Sequence, residues 1–387
     1  MKQGWEIKIL DDVCTFERGL TYAKGDEVNI SSKGVLRSNN VDLSTNTLNF
    51  DEIKYLREDF EIPAKKKVRK NSLLMCISNG SKIHLGKVAL IDDDIDYAFG
   101  GFMGLLIPDE TIINPRYFYY SLISPMYKSF VKGLSDGANI NNLKFADIKS
   151  FSIAVPPLAE QERIVEILDR EFERIDELKA NAAKSLHHAK DLFQAALKQE
   201  LQPKEGWEPK TIRELSEELF AGGDVPKHAL SKTITTEYNV PIYANAVEQD
   251  GLYGYTNVAR VNKPSITIAG RGSGTGYIIE RTEKYLPVVR LIVIVPQTQI
   301  VRNRFLYYAL KSLDIKSNGS AIPQLTVPMI AQYIVNYPTL TAQDVIIGVL
   351  DELNERCKAL EENYTKTIAL CDDMKQALLR KAFNGEL

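Results

Sequence analysis

Pro156-Pro157-Leu158-Ala159-Glu160-Gln161-Glu162-Arg163-Ile164-Val165-Glu166-Ile167-Leu168-Asp169 returns 182 residues later as Pro338-Thr339-Leu340-Thr341-Ala342-Gln343-Asp344-Val345-Ile346-Ile347-Gly348-Val349-Leu350-Asp351. Gly4-Trp5-Glu6-Ile7-Lys8 likewise returns 202 residues on, as Gly206-Trp207-Glu208-Pro209-Lys210. The chain is therefore two copies of one plan, a globular head followed by a long charged helix. The expected divisions are a first head over 1–155, a helix and linker over 156–205, a second head over 206–337 and a closing helix over 338–387. The spacing between the repeats shows that the heads differ by 20 residues. The helical parts barely differ, with 51 residues from Pro156 to Trp207 and 49 from Pro338 to Leu387. Constant helix length beside drifting heads reads as a ruler that carries two different heads.

Between Leu158 and Leu201 there is no Pro or Gly. Val165, Leu168, Phe172, Ile175, Ala182, Leu186, Ala189, Phe193 and Ala196 fall at alternating three and four spacing, missing only Lys179. That is an a/d heptad seam, and Pro203 and Gly206 stop it. The second copy, Leu340 to Phe383, keeps Ile347, Leu350, Cys357, Tyr364, Ile368, Cys371 and Leu378 on its seam, flanked by Ile346, Leu353, Leu360 and Met374. Asn354 and Glu361 interrupt it, and polar seam residues set register more than strength. The expected fold is α+β: two mixed α/β heads joined by two long helices in an antiparallel coiled coil. Duplication favours the antiparallel arrangement, because equal units then relate by a pseudo-twofold axis.

The bulk properties narrow the function. The net charge is −3, a weak argument against a polyanion partner, but the distribution matters more. Residues 156–205 hold 8 basic and 11 acidic groups, and residues 338–387 hold 6 and 9. The first head is neutral and the second carries +3, so any polyanion is expected on the heads. Cys14, Cys76, Cys357 and Cys371 lack CxxC spacing and read as reduced thiols of a cytoplasmic protein. His84, His187, His188 and His228 lack zinc-ligand spacing, so no metal is expected. No apolar run is long enough for a membrane span, and the start has no signal-peptide core.

Three features recur in order within the heads. The first is a strand running into a small polar loop, Ser72 to Ser81 and Ser265 to Gly276, with strands expected over Val68–Ile77 and Val288–Val295. The second is an aromatic helix, Arg116-Tyr117-Phe118-Tyr119-Tyr120-Ser121-Leu122 and Arg304-Phe305-Leu306-Tyr307-Tyr308-Ala309-Leu310. The third is a Gly/Asn/Ser loop, Gly137 to Leu143 and Asn318 to Leu325. Small loops let backbone approach DNA, and their polar side chains reach bases or phosphates. The first-head candidates are Ser78, Asn79, Ser81, Lys82, His84 and Lys87, with Asn139, Asn141, Asn142 and Lys144 from the third feature. The second-head candidates are Arg271, Ser273, Thr275 and Tyr277, with Asn318, Ser320 and Gln324. Arg271 leads, because Arg pairs bidentately with guanine or phosphate. Lys65, Lys66, Lys67, Arg69 and Lys70 place five cations in six residues, a candidate phosphate clamp or a solvated charge run. The small loops equally suit tight turns, and the aromatic helices suit head core.

Two heads that open on Trp-x-x-x-x-[Ile/Leu] and close on a Pro-Pro-Leu-x-Glu-Gln-like helix start resemble the specificity subunit of type I restriction–modification systems. The Pro203-Lys204-Glu205-Gly206-Trp207 linker and the tail from Met374 to Leu387 resemble that family too. Thr339 and Ala342 depart from the pattern at the second helix start. The resemblance implies a non-catalytic reader of double-stranded DNA whose heads, as target recognition domains, each take one half of a split asymmetric site. It implies that the helices set the gap and dock two methyltransferase subunits, with restriction/translocase subunits added. S-adenosylmethionine and ATP are then expected on those partners, with no cofactor in this chain. Enzyme motifs fit poorly. Asn114-Pro115-Arg116-Tyr117 has Arg where an amino-methyltransferase needs Pro, and the glycines at 270, 272, 274 and 276 match neither phosphate cradle. No G-x-S-x-G elbow occurs. The alternative reading is a duplicated scaffold whose heads bind protein.

Overall fold

The computed structural model describes residues 4–136, 142–226, 228–272, 274–313, 315 and 324–387. The chain divides into two compact units. Unit 1 is Met1–Ala182 with Lys366–Leu387, and unit 2 is Ala183–Thr365. The two long helices run Leu158–Glu200 and Leu340–Asn384, and each contributes residues to both units.

The head of unit 1 is built on an antiparallel sheet ordered Cys14–Arg18, Met103–Pro108, Ser72–Cys76, Val88–Ile91. The two central strands are almost wholly buried, which suits their continuous apolar runs. A smaller sheet orders Glu27–Val28, Lys54–Leu56, Lys33–Leu36 and Ala98–Phe99, the last pairing parallel. Unit 2 repeats the plan. Its main sheet orders Ser216–Ala221, Ile292–Pro296, Ser265–Ile268 and Ile278–Arg281, and a smaller one orders Leu252–Thr256, Val240–Tyr243 and Leu286–Pro287.

The recurring Trp motif has a local purpose. Glu6–Ile9 pairs with Ser152–Val155, and Glu208–Thr211 pairs with Ile334–Tyr337. Each head is thus closed by a ladder between its first strand and its last, immediately before the proline that starts the helix. Trp5 and Trp207 pack against the cores beside these ladders. Two strand limits differ from the sequence expectation. The strand placed at Val68–Ile77 begins at Ser72, because Asn71 takes φ +64 and Ser72 N–H turns back to the Arg69 carbonyl. The strand placed at Val288–Val295 begins at Ile292, because Val289 and Arg290 have φ +51 and +63.

The helix-start motif is a clamp. Gln161 is fully buried. Its Oε1 accepts the Asn114 N–H (2.7 Å), and its Nε2 donates to the carbonyls of Ile112 (3.0 Å) and Pro156 (2.8 Å). Gln343 is equally buried and accepts from Arg302 N–H (2.7 Å) while donating to Ile300 (2.9 Å) and Pro338 (2.8 Å). The departures at Thr339 and Ala342 leave this glutamine in place. A second lock follows about two helical turns later. Arg116 Nε lies 2.7 Å from Asp169, and the Tyr120 hydroxyl donates to the same carboxylate. Arg304, Tyr308 and Asp351 repeat it, with Arg304 also 2.7 Å from Glu280. Burial and the adjoining carboxylate push both tyrosine hydroxyls well above their usual range. The aromatic helices are head core, with Tyr117, Phe118, Phe305 and Tyr308 fully buried.

Within unit 1 the long helices run antiparallel, as Asp176 pairs with Lys375 (2.5 Å) and Lys179 with Asp372 (2.6 Å). The seam interruption at Lys179 is therefore an interhelical ion pair. Leu168, Ile175, Ala182, Ala189 and Phe193 are buried on the first helix, and Leu350, Cys357 and Cys371 on the second. Val165, Phe172, Leu186, Ile347, Tyr364, Ile368 and Leu378 are half-buried. Ile164, Leu197, Ile346, Leu379, Ala382 and Phe383 are also buried, because each head adds a third packing surface. In unit 1, Phe172 and Phe383 meet Tyr120 and Tyr117 edge-on at 5.3 and 5.2 Å. In unit 2, Phe193 meets Tyr308 at 6.1 Å. The four cysteines are free and buried.

Candidate nucleic-acid interface

In each head three loops converge at the end of a central strand. In unit 1, Ile77 follows the strand Ser72–Cys76. Its N–H donates to the Phe102 carbonyl (3.0 Å) and its own carbonyl accepts from Leu143 N–H (2.7 Å). Ser78 then bridges Asn142. In unit 2, Gly270 takes the place of Ile77. Leu325 N–H donates to its carbonyl (2.8 Å), and Arg271 bridges Gln324. A Cβ at Gly270 would lie 3.2 Å from the carbonyl oxygens of both Arg290 and Leu325, so glycine suits the crossing. The first and third sequence features are thus neighbours in both heads. The third loop, Gly100-Gly101-Phe102 or Val288-Val289-Arg290, is not legible as a loop in the sequence, where Val288–Arg290 falls inside the strand expected over Val288–Val295. The Gly-Gly-Phe run between two strands was its one available signal.

The side chains now sort by commitment. Arg271 and Gln324 are exposed, as are Ser81, Asn142 and Lys144. Lys87 is a correction: it is 8% exposed, its Nζ donates to the Val41 carbonyl (2.7 Å), and burial lowers its pKa. A lysine held in the head core does not face a phosphate. Asn79 is tied inward, donating to Ser38 Oγ (2.7 Å) and accepting from Ser81 N–H (2.9 Å), and so shapes the loop. Lys82 Nζ donates to the Ser135 carbonyl (2.9 Å). Thr275 Oγ1 donates to the Gly272 carbonyl (2.6 Å), and the Tyr277 hydroxyl donates to Asp250 (3.2 Å). His84 is half-exposed, with its Nδ1 buried and unpartnered among the described residues and its pKa lowered chiefly by burial. Asn139, Asn141, Ser273, Asn318 and Ser320 lie outside the described residues.

Beside the loops of unit 1 lies an open cleft of about 860 Å³, whose walls include Arg18, Arg37, Asn39, Ser78 and Phe102. Arg37 Nε is buried there without a partner among the described residues, and Phe102 is 70% exposed. These two residues and Asn39 were missed in the sequence, since nothing local marks residues that become neighbours only through the fold. The cation run also divides. Lys66 donates to the Arg18 carbonyl (2.6 Å) and Lys67 pairs with Asp96 (2.5 Å). Lys65, Arg69 and Lys70 are exposed and make no side-chain pair among the described residues. Replacing these three by Ala is expected to weaken binding to every duplex alike. The slope of log K against log salt should then fall by up to about 2.7, at ~0.9 per phosphate contact. Titrations at several salt concentrations check this, and an unchanged slope makes the run a solvated face.

A family model described as a type I restriction modification DNA specificity domain matches residues 2–187 and again 204–370. Among curated proteins, a putative type I specificity subunit of Mycoplasma pneumoniae, S.MpnORF507P, is 30% identical over 250 residues, 65% of this chain and 67% of that one. A second from the same organism, S.MpnORF89P, is 30% identical over 269 residues, 67% of this chain and 78% of its own length. The EcoKI specificity subunit of Escherichia coli K12 is 32% identical over 186 residues, and the match spans 39% of that protein. Among solved structures, a chain from a study of complex assembly and conformational transition in the type I R-M system superposes with a TM-score of 0.84. It is 18% identical, and the match covers 100% of this chain and 99% of that one. The HsdS subunit from Thermoanaerobacter tengcongensis gives 0.61 at 17% identity, covering 100% and 98%. At such identities the likeness is one of fold.

Proposed function

The chain belongs to the type I restriction–modification DNA specificity family, and from that membership we propose that it is the subunit that chooses the DNA sequence. Each head reads one half of a split site in double-stranded DNA. The paired helices set the gap and dock two methyltransferase subunits, and restriction/translocase subunits join the same assembly. S-adenosylmethionine and ATP belong to those partners, and the chain performs no chemistry of its own. The observation that carries this reading is the three-loop convergence present in both heads with different side chains, Ser78, Phe102 and Asn142 against Arg271, Arg290 and Gln324. A shared scaffold with unlike loop residues suits two different half-sites.

Methylome sequencing of a host expressing this chain with its methyltransferase subunits tests the proposal. One split motif is expected, and none from the pure chain with S-adenosylmethionine. Arg271→Ala should relax one half by ~1–3 kcal/mol if its guanidinium reads a base, leaving the other half unchanged. Methyl transfer by the pure chain would sink the reading. Full specificity at both halves in the variant would remove Arg271 as a reader.

A further inference from the structure

We propose that Arg290 is a base-reading residue of the second half-site, presented at the tip of a strained turn between two sheets; the inference rests on the function proposed above. Val289 and Arg290 both lie in the left-handed region, at φ +51 and +63. A β-branched residue is among the least tolerant of that conformation, so the tip persists only because its surroundings hold it. The hold is visible. Val289 N–H donates to the Gly223 carbonyl (2.8 Å) and Arg290 N–H to that of Gly222 (3.2 Å). Asn245 Nδ2 donates to the Val289 carbonyl, while Asn245 Oδ1 accepts the Gly270 N–H (2.8 Å). One amide therefore bolts the tip to the loop that carries Arg271.

The side chains are free where the backbone is fixed. Val289 is 45% exposed, and Arg290 is exposed with no side-chain hydrogen bond or ion pair among the described residues. A phosphate can be reached by a long flexible cation from a relaxed backbone, whereas a base edge demands fixed geometry. The equivalent tip of the first head carries Gly101 and Phe102 with no left-handed residue, so the strain is particular to the head that presents Arg. The chemistry it suits is the O6 and N7 edge of a guanine in the major groove.

The test uses the assembled complex of the full chain with its methyltransferase subunits. Binding is titrated on duplexes carrying each base change in the second half-site, at several salt concentrations, with the methylated motif read in parallel. Arg290→Ala should cost on the order of 10- to 100-fold in discrimination at one G·C position, and the other half-site should be read as before. Asn245→Ala, with Arg290 intact, should relax that same position, together with any position that Arg271→Ala relaxes, without changing the salt slope, whereas a general loss of packing would weaken every duplex alike. Uniform weakening on all duplexes, with the slope reduced by about one per phosphate, makes Arg290 a phosphate contact and overturns the proposal. So does an unaltered motif in Arg290→Ala. If the unsubstituted complex yields no split motif, the parent reading fails and takes this inference with it.

Discussion

Inserting one heptad at Ala182 and another at Ala369 should lengthen the gap between half-sites by about three base pairs while leaving both half-sites unchanged. The ion pairs Asp176–Lys375 and Lys179–Asp372 fix the antiparallel register, and that register puts Ala182 opposite Ala369. Seven residues preserve the seam phase and add ~10 Å at 1.5 Å per residue. DNA rises ~3.4 Å per base pair. Three added pairs also turn the duplex by roughly a third of its ~10.5-pair repeat, and the complex must absorb that twist. Some loss of methylation rate is therefore expected beside the shift. Sequencing the methylated sites of the variant reads the gap directly. An active variant still confined to the original spacing would show that the helices pack without setting it.

Replacing Gln161 by Ala should destabilise unit 1 by about 3 kcal/mol, at ~1–3 kcal/mol for each buried polar group left unmet. The substitution strands the Asn114 N–H and the Ile112 and Pro156 carbonyls in the region where head and helix join. Gln343→Ala should do the same to unit 2 through Arg302, Ile300 and Pro338. At about 2–4 °C per kcal/mol for a unit of this size, one transition should fall by roughly 6–12 °C and the other should stay. Differential scanning calorimetry separates them, since two units need not melt together. A change below ~1 kcal/mol in either variant would mean that water or a neighbouring side chain replaces the glutamine. The two variants serve as controls for each other, because each leaves the other clamp intact.

Asn79 and Lys87 show where loop reading runs out. Each has the right chemistry in the right loop, yet Asn79 binds Ser38 and Lys87 binds the Val41 carbonyl. Both partners lie about forty residues away and reach the loop only through sheet packing. A sequence gives the donor but not the acceptor that claims it. Arg37, Asn39 and Phe102 were illegible for the converse reason, since their neighbours, not their own composition, place them on one cleft.

What the sequence determined by itself was everything governed by period. The duplication, the two helix spans, the heptad seam and the order of loops follow from spacing, because helix and seam geometry repeat along the chain. The family resemblance rested on that order as well. Which loop residues stay free and which backbone is strained depend instead on packing between segments far apart in the chain. The left-handed pair at Val289 and Arg290 has no signature in its own residues, since Val favours extended conformations. It exists because Gly222, Gly223 and Asn245 hold it, and those contacts form only when strands distant in sequence close into two neighbouring sheets.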